Sequence, residues 1–202
     1  SAKELFELAN RNGLNIYFEA SVGAGIPIIK VLRESFVSNK IDTIYGIING
    51  TSNYVLSKMQ SDGCSLKDAL IEAQKKRFAE RNPSLDISGI DSMHKLVILT
   101  LLGFGKFVKQ DDIYTEGIND IEPQDLQYAK ELGYIVKLLA IAKKFGNDLE
   151  VRVHPTLLSR EHLLSNVSGV YNAIYVKGDL IGEALFYGEG AGQMPAASAV
   201  VS

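Results

Sequence analysis

The sequence predicts an α/β or α+β domain: a largely mixed β-sheet covered by helices. Three observations predict it. Segments with helical spacing and segments rich in β-branched and aromatic residues are interleaved, without the strict strand–helix alternation of a parallel α/β fold. The last third reads mostly as strand. The chain of 202 residues, 46% hydrophobic and 22% charged, has material for one full core, or for one domain with a piece of a second.

In chain order, Ala2 to Asn12 places Leu5, Phe6, Leu8 and Ala9 at helical spacing and stops at Asn12-Gly13. Leu14 to Phe18 reads as a strand, so the start resembles the tail of an α/β unit. The small-residue loop Glu19 to Gly25 leads to Ile26-Pro27, and Pro27 opens a helix to about Ser38. Ile41 to Ile48 is a strong strand ending at Asn49-Gly50-Thr51-Ser52-Asn53, which has turn and N-cap chemistry. Helices follow over Ser52 to Gln60 and Ser65 to Lys76, then a loop with Asn82-Pro83. Asp86-Ile87-Ser88-Gly89 leads into a helix over about Ile90 to Leu102. Ile113 to Ile118 reads as a strand, Gln124 to Leu132 as a helix behind Pro123, and Tyr134 to Phe145 as a further helix. Strands are expected over Leu149 to His154, Val170 to Val176 and Ile181 to Tyr187, with a hairpin turn at Lys177-Gly178-Asp179. Ala196 to Val201 reads as the start of a helix.

Charge and composition exclude several classes. Lys plus Arg is 21 and Asp plus Glu is 24, a net charge of −3 without the basic footprint of a nucleic-acid binder. One cysteine, Cys64, leaves no internal disulfide and no Cys-based zinc site. The most apolar run, Leu96 to Phe104, is broken by Thr100 and Gly103 and is too short for a membrane span. Ser1 to Leu5 shows no secretory pattern, so a cytoplasmic location is expected. The sequons at Asn49 and Asn166 are chance matches in that setting. His94, His154 and His162 have no metal-ligand spacing.

Glu80, Asp86, Asp91 and Lys95 form the constellation with most chemistry. Asp91 and Lys95 are four apart and share one helix face, and the apolar residues that follow point that helix into protein. Charges at such a place are costly unless paired. A Lys beside an Asp can protonate an oxygen that becomes negative as a carbonyl is reduced. Glu80 and Asp86 would supply carboxylates for an ammonium-bearing substrate. An ordinary Asp–Lys helix pair with solvated loop acids has the same pattern. The alternating glycines Gly188, Gly190 and Gly192, between strand and helix, would let backbone amides approach a phosphate.

Phe18 to Ile28 and Ile48 to Tyr54 closely resemble segments of the homoserine dehydrogenase family. So does Ala73 to Lys95, with Phe78-Ala79-Glu80, Asn82-Pro83, Asp86-Ile87, Gly89, Asp91 and Lys95 in order. Val153 to Thr156 and Gly190 to Val201 extend the match over nearly the whole chain.

The resemblance implies reversible reduction of aspartate 4-semialdehyde to homoserine with NADPH or NADH, on the route to threonine and methionine. It makes Lys95 the proton donor, with Asp91 beside it. It places Gly50, Thr51, Phe78, Glu80, Asp86 and Asp91 around the substrate, and Arg77, Gly190 and Gly192 near the cofactor. Glu19, Val22, Ala24 and Ile26 would form a monovalent-cation site, sodium or potassium, built largely from carbonyls. A homodimer formed through the sheet is implied, with a small-molecule substrate and neither nucleic acid nor membrane as partner.

Arg77 replaces a glycine of the family signature, Phe78 often has a tyrosine counterpart, and Ala196 stands for a threonine. The family's dinucleotide fingerprint precedes the equivalent of Ala2, so a truncated piece is expected. Residues 1–18 would be the tail of a nucleotide-binding domain, 19–187 the catalytic and dimerisation domain, and 188–202 a return segment. Two other readings stay open: a non-catalytic dimerisation or ligand-binding module with the same fold, and a divalent-metal hydrolase using Glu80, Asp86 and Asp91.

Overall fold

The structure, a computed structural model, describes residues 2–201. One six-stranded sheet organises it, in the order β2-β4-β3-β1-β5-β6. The strands are β1 (Ile41–Ile47), β2 (Tyr114–Thr115), β3 (Tyr134–Phe145), β4 (Asp148–Ser159), β5 (Tyr171–Gly178) and β6 (Gly182–Glu189). All neighbours are antiparallel except β2 and β4, which makes the sheet mixed as expected.

The helices are α1 (Ala2–Arg11), α2 (Ile28–Lys30, running on into a π-turn over Val31–Ser35), α3 (Gly50–Asp62), α4 (Leu66–Lys75), α5 (Ser84–Ile87), α6 (Ile90–Phe104), α7 (Pro123–Glu131) and α8 (Gln193–Val201), and α3, α6 and α7 form the layer that packs on the sheet. The main core lies between this layer and the sheet. Ile44, Ile174 and Val176 from the strands meet Val55, Leu56, Leu96 and Leu99 from α3 and α6, all fully buried. Burying each such side chain stabilises by about 1.5–3 kcal/mol.

Several expectations need correction. Tyr134 to Phe145 is not a helix but β3, a 12-residue strand paired with β1 on one side and β4 on the other. Val136 to Ala142 is buried without a break, so no alternation marks it as a strand. Leu14 to Phe18 forms no strand. No strand lies alongside it among the described residues, and Leu14 and Tyr17 are 64% and 85% exposed. The strand expected over Ile113 to Ile118 contracts to β2. The last hairpin turns two residues later, since Gly178 pairs with Gly182.

β4 runs through Pro155 to Ser159, well past His154. β2 covers only Arg152 and Val153 on its outer side, so a residue lacking an N–H is tolerated there.

The helix ends follow capping chemistry. Asn49 caps α3, its side chain accepting from the Ser52 amide at 2.8 Å, and Ser65 caps α4. The end of α4 is a Schellman motif: the Phe78 amide donates to the Ala73 carbonyl at 2.8 Å and the Arg77 amide to the Gln74 carbonyl at 3.0 Å. Arg77 therefore stands at φ +62°, where glycine is favoured. That accounts for the glycine which the family resemblance places here, with no appeal to the cofactor. Arg77→Gly is expected to raise stability by about 1 kcal/mol through relief of the left-handed strain. A thermal melt checks it, and an unchanged or lower midpoint would count against this account.

Candidate active site

The candidate site gathers where β1 ends. Ile48 and Asn49 leave the sheet there, α3 begins, and α5 and the first turn of α6 pack alongside. The chain brings three of the four expected charged residues together. Lys95 Nζ lies 2.7 Å from Asp91 Oδ2, one turn earlier on α6, and donates to the Ile48 carbonyl at 2.9 Å. Both side chains are partly buried, Lys95 being 21% and Asp91 31% exposed, so the pair is not an ordinary solvated one. An ammonium has three donors. Two of those on Lys95 have partners among the described residues, which leaves one N–H for an oxygen brought to the site.

Asn49 joins the two aspartates, a role beyond the turn and N-cap chemistry that its segment predicts. Its Nδ2 donates to Asp86 Oδ1 at 2.7 Å and to Asp91 Oδ2 at 2.8 Å, while its Oδ1 caps α3. One buried amide thus holds two carboxylates on one side and a helix end on the other. The signal was present in the segment Asn49-Gly50-Thr51-Ser52-Asn53, but not the partner it would take. Asn49 is 6% exposed and tied on both ends, which leaves its sequon unusable.

Ser52 Oγ donates to the Asp86 carbonyl at 2.8 Å and fixes α5 against α3. Burial is the largest influence on the Asp86 carboxyl and pushes its pKa up. The Asn49 hydrogen bond opposes that shift, as does the Lys95 charge, while Asp91 and Glu80 add to it.

Glu80 makes no side-chain contact with these groups. It lies on an exposed loop, held by Gln74 Nε2 donating to its carbonyl at 3.1 Å, and reaches Asp86 only through its charge. Thr51 Oγ1 donates to the Phe78 carbonyl at 2.9 Å, and the Phe78 ring packs edge-on against Tyr54 at 5.0 Å. These two contacts carry the Ala73 to Glu80 loop onto α3. Gly50 is needed where it stands, because a Cβ would meet the Val170 carbonyl at 2.6 Å.

Gly190 packs flat on the side chain of Asn172, which a Cβ would overlap. Asn172 is 1% exposed, and its Oδ1 has no partner among the described residues. It lies between Gly190 and Gly50, whose would-be Cβ is 3.6 Å from that oxygen. An orphaned acceptor beside two bare stretches of backbone fits a ligand bearing an amide donor, such as a nicotinamide. Gly192, at φ +120°, turns the chain into α8.

At the proposed cation loop, Glu19 accepts from the Ile29 and Lys30 amides at 2.9 and 2.8 Å, so it anchors the start of α2. Val22, Ala24 and Ile26 are buried. The Ile26 carbonyl takes the Ile28 amide at 2.7 Å, whereas those of Val22 and Ala24 receive no backbone N–H among the described residues. Two carbonyls left without a backbone donor among the described residues suit a monovalent cation. No group of three or more His, Cys, Asp or Glu could hold a metal among the described residues, which disfavours the divalent-metal reading.

Residues 27–202 match the family model described as homoserine dehydrogenase. The chain belongs to the homoserine dehydrogenase family. It is 49% identical to homoserine dehydrogenase of Synechocystis sp., covering 98% of this chain and 47% of that protein. It is 54% identical to the Helicobacter pylori homoserine dehydrogenase, over 93% and 44% of the two chains. The crystal structure of a homoserine dehydrogenase from Thiobacillus denitrificans superposes with a TM-score of 0.96 at 50% identity, over 99% of this chain and 46% of that one. A hyperthermophilic archaeal homoserine dehydrogenase in complex with NADPH superposes at 0.82 with 34% identity, over 98% of this chain and 57% of that one. The chain thus spans about half the length of the homoserine dehydrogenases it matches. No helix among the described residues is long and apolar enough to cross a membrane.

Proposed function

We propose that this chain forms the substrate-binding and catalytic part of an NAD(P)-dependent homoserine dehydrogenase, reversibly reducing L-aspartate 4-semialdehyde to L-homoserine. The observation that carries this reading is the Lys95–Asp91–Asn49–Asp86 network. It holds one uncommitted ammonium N–H and two tethered carboxylates in a single partly buried cluster.

NADPH or NADH, when bound, supplies the electron pair and hydrogen that reach the carbonyl carbon. Lys95 does the complementary work. Its free N–H holds the aldehyde oxygen and gives it a proton as negative charge develops; in the reverse direction the amine takes that proton back. Asp91 keeps the ammonium aimed. Asp86 and Glu80 face the substrate's α-ammonium group, with Gly50, Thr51 and Phe78 forming the wall. The cofactor would lie along Gly190, Gly192 and Arg77, with Asn172 offering its spare oxygen. A sodium or potassium ion would be held by the Val22 and Ala24 carbonyls together with Glu19 and Ile26.

The same reading takes residues 19–187 as the substrate and dimerisation domain, and 1–18 and 188–202 as parts of a nucleotide-binding domain. The sheet face away from the helices supports a homodimer: Tyr171 stacks on Tyr187 there at 5.0 Å, and both rings are exposed. The enzyme would work in the cytoplasm on the route to threonine and methionine.

The test is an assay of the full-length protein for NAD(P)H oxidation that depends on aspartate 4-semialdehyde, with Asp86→Asn as the diagnostic variant. Asparagine keeps an acceptor for Asn49 but loses the charge. The Michaelis constant is expected to rise at least about tenfold, the size of one lost charge-assisted contact, with folding unharmed. An unaltered Michaelis constant would remove Asp86 from the substrate site, and no aldehyde-dependent turnover in the parent protein would remove the function.

A further inference from the structure

Away from this site, Lys137 is a buried lysine that the proposed reaction does not use. It lies on β3 and is 2% exposed. Its Nζ donates to Asn53 Oδ1 at 3.2 Å and to the Val167 carbonyl at 2.5 Å. Two of its three N–H groups are thereby taken, and Lys137 lines a cavity of about 410 Å³ between the second half of α3, α7 and the segment after β4.

The lining has a consistent chemistry. Lys130 and Arg160 add two further cations, and Ser57, Asn166 and Ser168 add polar side chains. Most of their donors are unspent. Ser57 Oγ accepts from the Gly169 amide at 3.2 Å, which leaves its own hydrogen to give. Arg160 spends Nη2 on the Lys130 carbonyl at 3.1 Å and keeps the rest of its fork. No Asp or Glu side chain is among the lining residues. Three cations around one concavity, with no carboxylate to neutralise them, leave an uncompensated positive field. The volume lies within the range of small-molecule sites.

We infer that this cavity is a binding site for a small organic anion bearing phosphate or paired carboxylates, separate from the cluster around Lys95. Arg160 and Lys130 meet the anion at the rim, and Lys137 meets it at the floor. Burial pushes the Lys137 pKa down to about 8, so a bound anion supplies the countercharge that its surroundings lack. Helix α3 connects the two sites, with Asn49 at its cap and Ser57 along its second half.

The experiment titrates the full-length protein by calorimetry with potassium phosphate and, separately, potassium succinate, each against potassium chloride of equal ionic strength. Saturable binding of at least one probe is expected. Phosphate alone would mark a phosphate-ester site and succinate alone a dicarboxylate site. The double variant Lys130→Ala/Arg160→Gln alters exposed side chains only and should weaken that binding at least tenfold. Lys137→Met should weaken it further; if that variant does not fold, the double variant decides alone. Binding that the double variant leaves unchanged, or no binding beyond chloride, overturns the inference.

Discussion

Replacing Lys95 with methionine is expected to lower kcat by about 10²–10⁴, the usual contribution of a positioned general acid. Methionine approximates the length of the lysine stem and fills the space beside α6, so the loss should not come from a collapsed core. Folding should suffer only modestly, because the residue is 21% exposed and one of its partners, Asp91, keeps the Asn49 amide at 2.8 Å. The Michaelis constant should move less than kcat, since the missing interaction is strongest when the aldehyde oxygen carries negative charge.

Lys95→Arg sharpens the test. It restores the charge beside Asp91 but puts a planar, always-protonated group where a compact ammonium is needed. Activity should stay far below that of the parent even though the ion pair is rebuilt. Turnover within a fewfold of the parent in the methionine variant would dismiss Lys95 as proton donor. Recovery in the arginine variant would reduce its role to electrostatics.

The helix that carries this pair was legible before any coordinates, because Asp91 and Lys95 are four apart and an apolar run follows. The central strand was not. In β3 every residue from Val136 to Ala142 is buried, including Lys137, so neither the period of a strand nor that of a helix emerges from the pattern. What decides is pairing with β1 and β4, information that lies up to about a hundred residues away in the chain. Leu14 to Phe18 fails in the opposite sense: its residues suit a strand, but no strand among the described residues pairs with it.

The site divides along the same line. Local spacing revealed Asp91 with Lys95, and the Asn49 segment announced a cap. That one asparagine amide would reach both Asp86 and Asp91 depends on how α5 and α6 cross the end of β1, which no local window contains. Asn172 was hidden for a related reason: a single polar residue within an otherwise apolar strand has no distinctive spacing, and its meaning comes from the two glycines that fold against it.

Asn49 therefore yields the second large effect, and here two contributions must be separated. Asn49→Ala removes the α3 cap, worth about 0.5–2 kcal/mol, and also the donor shared by Asp86 and Asp91. For a chain of this size the midpoint should fall by roughly 2–4 °C per kcal/mol, with activity falling as well. Such a result alone would not distinguish positioning from destabilisation.

Asn49→Ser does. Serine caps a helix about as well as asparagine, so the melt should stay close to that of the parent, but one short hydroxyl cannot bridge two carboxylates. Asp86 then loses the strongest influence holding its pKa down, while burial still pushes it up. Its ionised form, which faces the substrate ammonium, is reached only at higher pH. The acid limb of kcat/KM should consequently move toward neutrality, with the change concentrated in KM and kcat less affected.

The sign for stability is the reverse. A carboxyl whose folded pKa lies above its unfolded value makes the fold progressively less stable as pH rises between the two. The serine variant should accordingly show a steeper loss of stability with rising pH than the parent across the window just above the ordinary carboxylate pKa. A serine variant with the parent's pH profile and KM would mean that the shared amide serves α3 alone, and that Asp86 and Asp91 find their places without it.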